Sequence, residues 1–376
     1  MTYIEQMIKD MCPHGVEWKT LGEVCEMKRG STITANQAEE GEIPVIAGGQ
    51  KPAYFHNQSN RTGKNITVAG SGAYAGYVAY WEQPIFVSDA FTVTPKESSL
   101  DIKFVYYFLT NIQDKIYHTK KGSGVPHVHP SSIADFEIPL PPLEIQEKIV
   151  EILDKFSTLA AELQAELQMR RKQYEYYRTQ LLTPHSDCNS ADNTDDRNWE
   201  WKTLGEICEI NRGVRVVRSE LEQEGKYPVY QNSLAPLGYY DKCNYPANTT
   251  FIISAGAAGK VGYSDVDFWA ADDCLCIKCP KALNAKFLFY YMLDKQDFFL
   301  SQVRHASVPR MSRTIVENFK LPIPSLAEQA RIVAILDKFE KLITSMEEGI
   351  PAEQIRQQRR YEYYRDLLLT FDRKAV

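Results

Sequence analysis

The stretch from Leu143 to Leu182 limits what this chain can fold into more than any other. Apolar residues fall at Ile145, Ile149, Ile152, Phe156, Leu159 and Leu163, in steps of four, three, four, three and four. That spacing is the seam of a coiled coil. Glu147, Lys148, Glu151, Asp154 and Lys155 lie off it, and the stripe runs on through Leu167, Tyr174, Tyr177 and Leu181 with a break at Arg170. As one helix these residues make a rod of roughly 60 Å. A helix with a single apolar seam is stable only when a partner covers that seam. A second copy, Leu326 to Leu369, keeps the phase at Ile332, Ile335, Phe339, Leu342 and Met346.

The second copy belongs to a repeat of the whole chain. Trp18-Lys-Thr-Leu-Gly-Glu-Val-Cys-Glu-Met-Lys-Arg-Gly30 returns as Trp201-Lys-Thr-Leu-Gly-Glu-Ile-Cys-Glu-Ile-Asn-Arg-Gly213, an offset of 183. Ile149-Val-Glu-Ile-Leu-Asp-Lys-Phe156 returns as Ile332-Val-Ala-Ile-Leu-Asp-Lys-Phe339 at the same offset. Between these anchors the two copies diverge widely. A fixed frame around a variable interior points to one scaffold with two different recognition surfaces. The register then changes once: Tyr174-Glu-Tyr-Tyr-Arg178 returns as Tyr361-Glu-Tyr-Tyr-Arg365, an offset of 187. The four extra residues sit near Gly349-Ile-Pro351, where a helix is easily interrupted. An added helical turn and a short loop both fit. Tyr174, Tyr176 and Tyr177 read as packing residues of the seam.

In chain order, a short amphipathic helix (Ile4, Met7, Ile8, Met11) leads to Cys12-Pro13. Strands follow over Glu23–Lys28, Ile43–Ile46, Ile66–Ala69, Tyr77–Trp81 and Ile85–Ser88. A short helix covers Phe104–Ile112 and starts near Asp101. The basic, glycine-rich loop Lys120–Pro130 comes next, and Pro139-Leu-Pro-Pro142 leads into the long helix. Thr183–Asn198, rich in Asp, Asn and Ser, reads as an exposed linker. The second half repeats the order, with strands over Ile207–Ile210, Pro228–Tyr230, Phe251–Ser254 and Leu275–Lys278. The helix Phe287–Leu293, the loop Arg304–Arg313 and the lead-in Leu321-Pro-Ile-Pro324 complete the copy.

The chain has 376 residues, 44% of them hydrophobic, enough for two or three domains with cores. No run approaches the length of a membrane span, and the start lacks the pattern of a signal peptide. Eight cysteines without framework spacing fit reduced thiols in a cytoplasmic chain. The net charge of −6 gives no bulk support to nucleic-acid binding, so a DNA reader of this kind relies on local basic patches or on partner subunits.

Enzyme motifs are missing. There is no Asn/Asp-Pro-Pro-aromatic run of an amino-methyltransferase. Gly70-Ser-Gly72 with Gly76 misses the dinucleotide spacing and reads as a turn, and Ala258-Gly-Lys-Val261 lacks the outer residues of a phosphate loop. Cys274, Cys276 and Cys279 lie on an apolar run without a matching Cys/His pair, and read as buried strand residues rather than zinc ligands. We expect no catalytic residues, no metal and no cofactor. What remains is basic. Lys120, Lys121 and His127, with Ser123 and Gly124 between them, occupy the same place in the first copy as Arg304, His305, Arg310 and Arg313 in the second. Basic side chains on a glycine-rich loop approach phosphates closely, and arginine forks onto guanine.

Three segments, each with its second copy, resemble the specificity subunit of Type I restriction–modification systems. They are Trp18-Lys-Thr-Leu-Gly-Glu, Pro139 through Phe156, and Arg170-Arg-Lys-Gln-Tyr-Glu-Tyr-Tyr-Arg178. The resemblance implies an α+β fold. Two mostly-β target-recognition domains, residues 1–142 and 200–325, are joined by two long antiparallel coiled-coil helices, 143–183 and 326–371, with a linker at 184–199 and an internal pseudo-twofold repeat. It implies that each domain reads one half of a split, asymmetric site on double-stranded DNA. The helices would set the spacer and dock two methyltransferase subunits, and endonuclease subunits would complete the complex. The basic loop of the family maps onto Lys120–His129 and Arg304–Arg313. The expected seam is Ile149, Ile152, Phe156, Leu159, Leu163, Ile332, Ile335, Phe339, Leu342 and Met346. The alternative class is a DNA-independent coiled-coil scaffold whose β-domains bind proteins.

Overall fold

The computed structural model describes residues 3–122, 124–184, 199–222 and 224–374. The chain divides into two compact units, and the division is not a simple cut. The first unit holds Met1–Gln164 together with Glu353–Val376, and the second holds Ala165–Ala352.

In the first unit the strands are β1 (Glu17–Thr20), β2 (Cys25–Arg29), β3 (Ile43–Ile46), β4 (Tyr54–His56), β5 (Asn65–Ala69), β6 (Val78–Trp81), β7 (Phe86–Val87), β8 (Ala90–Pro95) and β9 (Glu137–Leu140). They form a four-stranded sheet ordered β2-β8-β5-β6, a three-stranded sheet β4-β3-β7, and the pair β1-β9. β5 is buried along its whole length, as its run Asn-Ile-Thr-Val-Ala, held between β8 and β6, requires. The second unit repeats the plan with β10 (Glu200–Thr203), β11 (Glu209–Arg212), β12 (Tyr227–Tyr230), β13 (Gly238–Tyr240), β14 (Thr249–Ile253), β15 (Val261–Ser264), β16 (Trp269–Ala270), β17 (Cys274–Lys278) and β18 (Lys320–Ile323). Its sheets are β11-β17-β14-β15, β13-β12-β16 and β10-β18.

The anchor sequence has a local reason to recur. Thr20 and Glu23 close a capping box that starts a one-turn helix, Leu21–Val24, and Thr203 with Glu206 does the same for Leu204–Ile207. This corrects two expected strands: Val24 and Ile207 end helical turns, and the strands begin one or two residues later. Leu21 and Leu204 are fully buried beneath these turns.

A second repeated device ties the long helical segment of each unit to the short helix beside it, Ile102–Asn111 in the first unit and Ala285–Asp294 in the second. Gln146 is buried, and its amide accepts from Asp101 N (2.8 Å) and donates to Ser99 O (3.0 Å) and Pro141 O (2.8 Å). Gln329 makes the same three bonds, accepting from Asn284 N (2.7 Å) and donating to Ala282 O (3.1 Å) and Pro324 O (2.9 Å). About two turns further on, Asp154 accepts from Lys103 Nζ (2.8 Å) and Tyr107 Oη (2.6 Å). Asp337 accepts from Lys286 Nζ (2.9 Å) and Tyr290 Oη (2.6 Å), and Glu340 also takes the Tyr290 hydroxyl (2.7 Å). Burial and the carboxylate bonds push both tyrosine hydroxyls far above their ordinary pKa, so both stay donors.

The long helix spans Leu143–Leu182 without a break. It serves two partners, and the heptad pattern describes only one of them. Ile145, Ile149 and Leu153 are fully buried in the core of the first unit. Ile152, Phe156, Leu159 and Leu163 are half-buried, and Phe156 packs its ring on Tyr361 and Tyr364 (centroids 6.2 and 5.6 Å). Gln164 meets Gln354 at 2.9 Å, so within this unit the two helical segments run antiparallel. In the second unit Tyr177 stacks on Phe339 at 5.7 Å, Ile335 is half-buried, and Ile332 and Leu336 are fully buried.

Two seam residues depart from expectation. Leu342 is 37% exposed and Met346 65% exposed, while Ile343 is buried. The buried positions Ile332, Leu336 and Ile343 follow the 3.6-residue period of a straight helix packed on the short helix Ala285–Asp294, which drifts off a strict heptad. Met346 lies past the end of the helix. The second copy is two helices, Leu326–Thr344 and Ile350–Leu368, so the four extra residues form a loop. Ser345 caps the first helix, and its Oγ accepts from Glu347 N and Glu348 N (3.3 and 3.1 Å). Tyr176 is another correction: it is 61% exposed, as is its counterpart Tyr363 at 63%, while Tyr174 is buried.

The last residues close the first unit. Val16 N donates to Asp372 O (2.9 Å) and Lys374 N donates to Val16 O (3.0 Å). Arg373 binds Glu137 through two nitrogens and lies over the Trp18 ring at 5.1 Å. Of the expected linker, residues 185–198 lie outside the described residues.

Candidate nucleic-acid interface

Each unit carries one hairpin-like loop laid on a glycine turn. In the first, Lys121 and His127 exchange backbone bonds (Lys121 N to His127 O 3.0 Å, His127 N to Lys121 O 2.8 Å). The turn joining β5 to β6 holds this loop: Gly72 N donates to Pro126 O (3.0 Å), and Val128 N donates to Gly70 O (3.0 Å). Gly72 sits at φ +84°, a left-handed conformation that explains the glycine where a cofactor loop had been considered. In the second unit Arg304 and Arg310 exchange the same pair of bonds (2.9 and 3.1 Å). Gly256 N donates to Pro309 O (3.1 Å), Met311 N donates to Ser254 O (2.9 Å), and Gly256 lies at φ +82°. The frame is the same and the side chains on it differ.

The expected residues divide as follows. Lys121, Gly124 and His127 are exposed. Lys120 is half-buried, its Nζ 4.3 Å from the Tyr117 ring centre and 3.3 Å from Ala73 O, so it braces the loop. Ser123 lies outside the described residues. Arg304, His305 and Arg310 are exposed. Arg313 is not on the hairpin; it opens the helix Arg313–Glu317 and pairs with Glu317 (2.8 Å). His127 stacks on His129 (6.0 Å, 15° between planes), and His129 Nδ1 lies 2.9 Å from Arg29 Nη2. A guanidinium only donates, so Nδ1 is the unprotonated acceptor.

Four residues escaped the sequence reading. Arg29 and Arg212 end β2 and β11 at equivalent places. Asp89 and Asp273 precede β8 and β17, and each uses its backbone carbonyl to hold the glycine turn (Gly70 N to Asp89 O 3.0 Å, Ser254 N to Asp273 O 2.7 Å). Ser71 Oγ donates to the Asp89 carboxylate. Burial and neighbouring Asp272 push the Asp273 carboxyl up, against a Gln231 bond and the charges of Arg310 and Arg212. The repeated Arg-Gly pair was a usable signal. In the structure Asp89 is equivalent to Asp273, one residue beyond the Asp272 that the offset of 183 gives.

Each unit therefore presents donors from a basic loop beside a carboxylate acceptor, a set suited to base edges and phosphates. Among the described residues no group of three His, Cys, Asp or Glu side chains is placed to hold a metal ion. No helix among them is long and apolar enough to cross a membrane.

A two-unit α+β chain with twin loops on a twin frame is the class that the fold defines. The family model of the Type I restriction modification DNA specificity domain matches it twice, over residues 13–169 and 196–354, and the chain belongs to that family. The specificity subunit of the Type I restriction enzyme EcoR124I/EcoR124II of Escherichia coli is 28% identical over 428 residues, covering 99% of this chain and 97% of the relative. A putative type I specificity subunit of Mycoplasma pneumoniae is 31% identical over 261 residues, covering 68% and 94%. The crystal structure of a Type I restriction–modification S subunit from M. genitalium shares the fold, with a TM-score of 0.65 at 21% identity, covering 94% of this chain and 96% of that one.

Proposed function

We propose that this protein is the non-catalytic subunit that gives a Type I restriction–modification complex its DNA sequence specificity. Each unit reads one half of a bipartite, asymmetric site on double-stranded DNA. The helical segments set the spacer and dock two methyltransferase subunits, and endonuclease subunits complete the restriction complex. The observation that carries this reading is the hairpin repeated on one hydrogen-bonded frame with Lys121 and His127 in one copy and Arg304 and Arg310 in the other. Two loops with one geometry and different donors suit two half-sites of different sequence. Each good bidentate base contact discriminates by about 1–3 kcal/mol. Arg29 and Arg212, the same residue in both copies, suit what both half-sites share, the phosphate backbone.

The test is the methylated motif. Deleting the gene should remove one gapped adenine-methylation motif from the methylome of its cell. Replacing residues 121–127 by 304–310 should then alter one half of that motif and spare the other. A motif unchanged by the swap would rule the hairpins out as base readers. Inserting or deleting four residues within Glu162–Arg171 should change the spacer and leave both halves intact.

A further inference from the structure

β11 and β17 pair antiparallel, with Glu209 opposite Lys278. The next pair outward along this register is Cys208 opposite Cys279. In the first unit the equivalent pair is Cys25 opposite Pro95, so only the second unit sets two thiols side by side. The two thiols act on each other directly, Cys279 lowering the pKa of Cys208 and Cys208 raising that of Cys279. Opposed residues on antiparallel strands have Cα atoms about 4.5–5.5 Å apart, within the range that a disulfide spans.

We propose that Cys208 and Cys279 form a peroxide-sensitive dithiol, an oxidative modification site that closes to an intramolecular disulfide. The Cys208 thiolate attacks one oxygen of hydrogen peroxide, giving a sulfenic acid and hydroxide, which takes up a proton to become water. The Cys279 sulfur attacks the sulfenic sulfur, and the sulfenic hydroxyl leaves with the Cys279 proton as a second water, the Cys208 proton having gone to the first. Two thiols and one peroxide become one disulfide and two waters. The peroxide is reduced by two electrons and the sulfur pair is oxidised by two.

The other cysteines of these sheets set the contrast. The Cys279 thiol donates to Cys208 and holds its pKa below the ordinary thiol value against the effect of burial. Burial pushes Cys25 and Cys274 up to about 12 and Cys276 higher still, and none of them faces a second thiol of lowered pKa. Cys279 is raised too, first by its bond with Cys208, so Cys208 is the thiol that meets the oxidant and Cys279 the one that resolves it. Cys208 is 8% exposed and Cys279 half-buried, an opening suited to a small oxidant rather than a bulky disulfide. The pair lies at the ends of β11 and β17 remote from Arg212 and Asp273, so its closure staples the sheet away from the candidate interface.

The experiment treats the purified full chain with hydrogen peroxide, blocks free thiols under denaturing conditions and maps peptides without reduction. The expected result is a Cys208–Cys279 linked peptide that dithiothreitol removes and that C279S lacks, with Cys25, Cys274 and Cys276 still blocked as thiols. Hydrogen exchange in 209–212 and 274–278 should slow on oxidation. C208S gives the same readout by an independent route should C279S fold poorly. The proposal is overturned if both cysteines remain blockable after oxidation. It is equally overturned if Cys208 over-oxidises while Cys279 stays free, or if the linkage forms through Cys188 or Cys243.

Discussion

Replacing Gln146 by leucine keeps much of the side-chain volume and removes three hydrogen bonds. The bond to Pro141 O is wholly buried, and those with Asp101 N and Ser99 O are partly so. An orphaned buried carbonyl costs about 1–3 kcal/mol, and each partly screened bond contributes about 0.5–1.5 kcal/mol. The sum centres on about 4 kcal/mol, a large share of the stability of an ordinary domain. Gln329→Leu should cost the second unit a similar amount, because its three bonds match one for one. Hydrogen-exchange mass spectrometry reads the units separately, through Ile102–Asn111 and the start of the long helix for Gln146, and through Ala285–Asp294 and Leu326–Thr344 for Gln329. The two changes share no partner, so the double variant should add within about 0.5 kcal/mol. Gln164→Leu, which removes an exposed bond to Gln354, serves as the control at under about 0.5 kcal/mol. A loss below about 1 kcal/mol in a folded Gln146→Leu protein would refute the view that these glutamines lock the long helical segments to the starts of the neighbouring short helices.

Four further outcomes are expected. Burial raises the Asp294 carboxyl, but the bonds from Lys295 and Thr179 and the charges of Lys295 and Arg178 outweigh it and hold the pKa below the ordinary value. Its contribution is therefore full above about pH 4 and is lost as pH falls through the lowered value; an acid titration of Asp294→Asn should lack that part of the loss. Gly15→Ala should free the last residues and raise proteolysis after Leu369, since Gly15 sits at φ +80° and a Cβ there would lie 2.5 Å from Asp372 O. Arg29→Ala and Arg212→Ala should each lower the salt dependence of DNA binding by about one phosphate contact and leave the methylated motif unchanged. Tyr176→Ala and Tyr363→Ala, at exposed positions, should shift stability by less than about 0.5 kcal/mol, yet weaken co-purification with the methyltransferase subunit.

The frame of this protein was readable because its signals are local or periodic. The proline lead-ins and the heptad stripe each act through residues close together in the sequence. Asp101 began its helix where the sequence placed it, with its side chain accepting from Phe104 N. Legibility ended where long-range partners decide. Leu153 and Leu336 look like off-seam positions until the core of each unit closes over them. Gln146 and Gln329 look like ordinary surface residues of a coiled coil until the carbonyls of Pro141 and Pro324 reach them. Asp89 and Asp273 gain their place only when strand pairing brings their carbonyls to the glycine turns, and Arg313 was assigned to a loop because its pairing with Glu317 depends on where the loop ends. The four extra residues near Gly349 admitted two structures, and the Ser345 cap selects the loop.

The division of the chain also orders its synthesis. The second unit is one uninterrupted segment, Ala165–Ala352, whereas the first needs Glu353–Val376 as well as Met1–Gln164. Leu368, Leu369 and Phe371 are buried in the core that Val16 and Leu21 begin. A ribosome therefore releases the means to finish the second unit before the first, although the first is translated earlier. The half made first must wait, with part of its core unfilled, for Leu368, Leu369 and Phe371 to emerge. A stop codon introduced at Glu353 would strike the amino-terminal unit and spare the other.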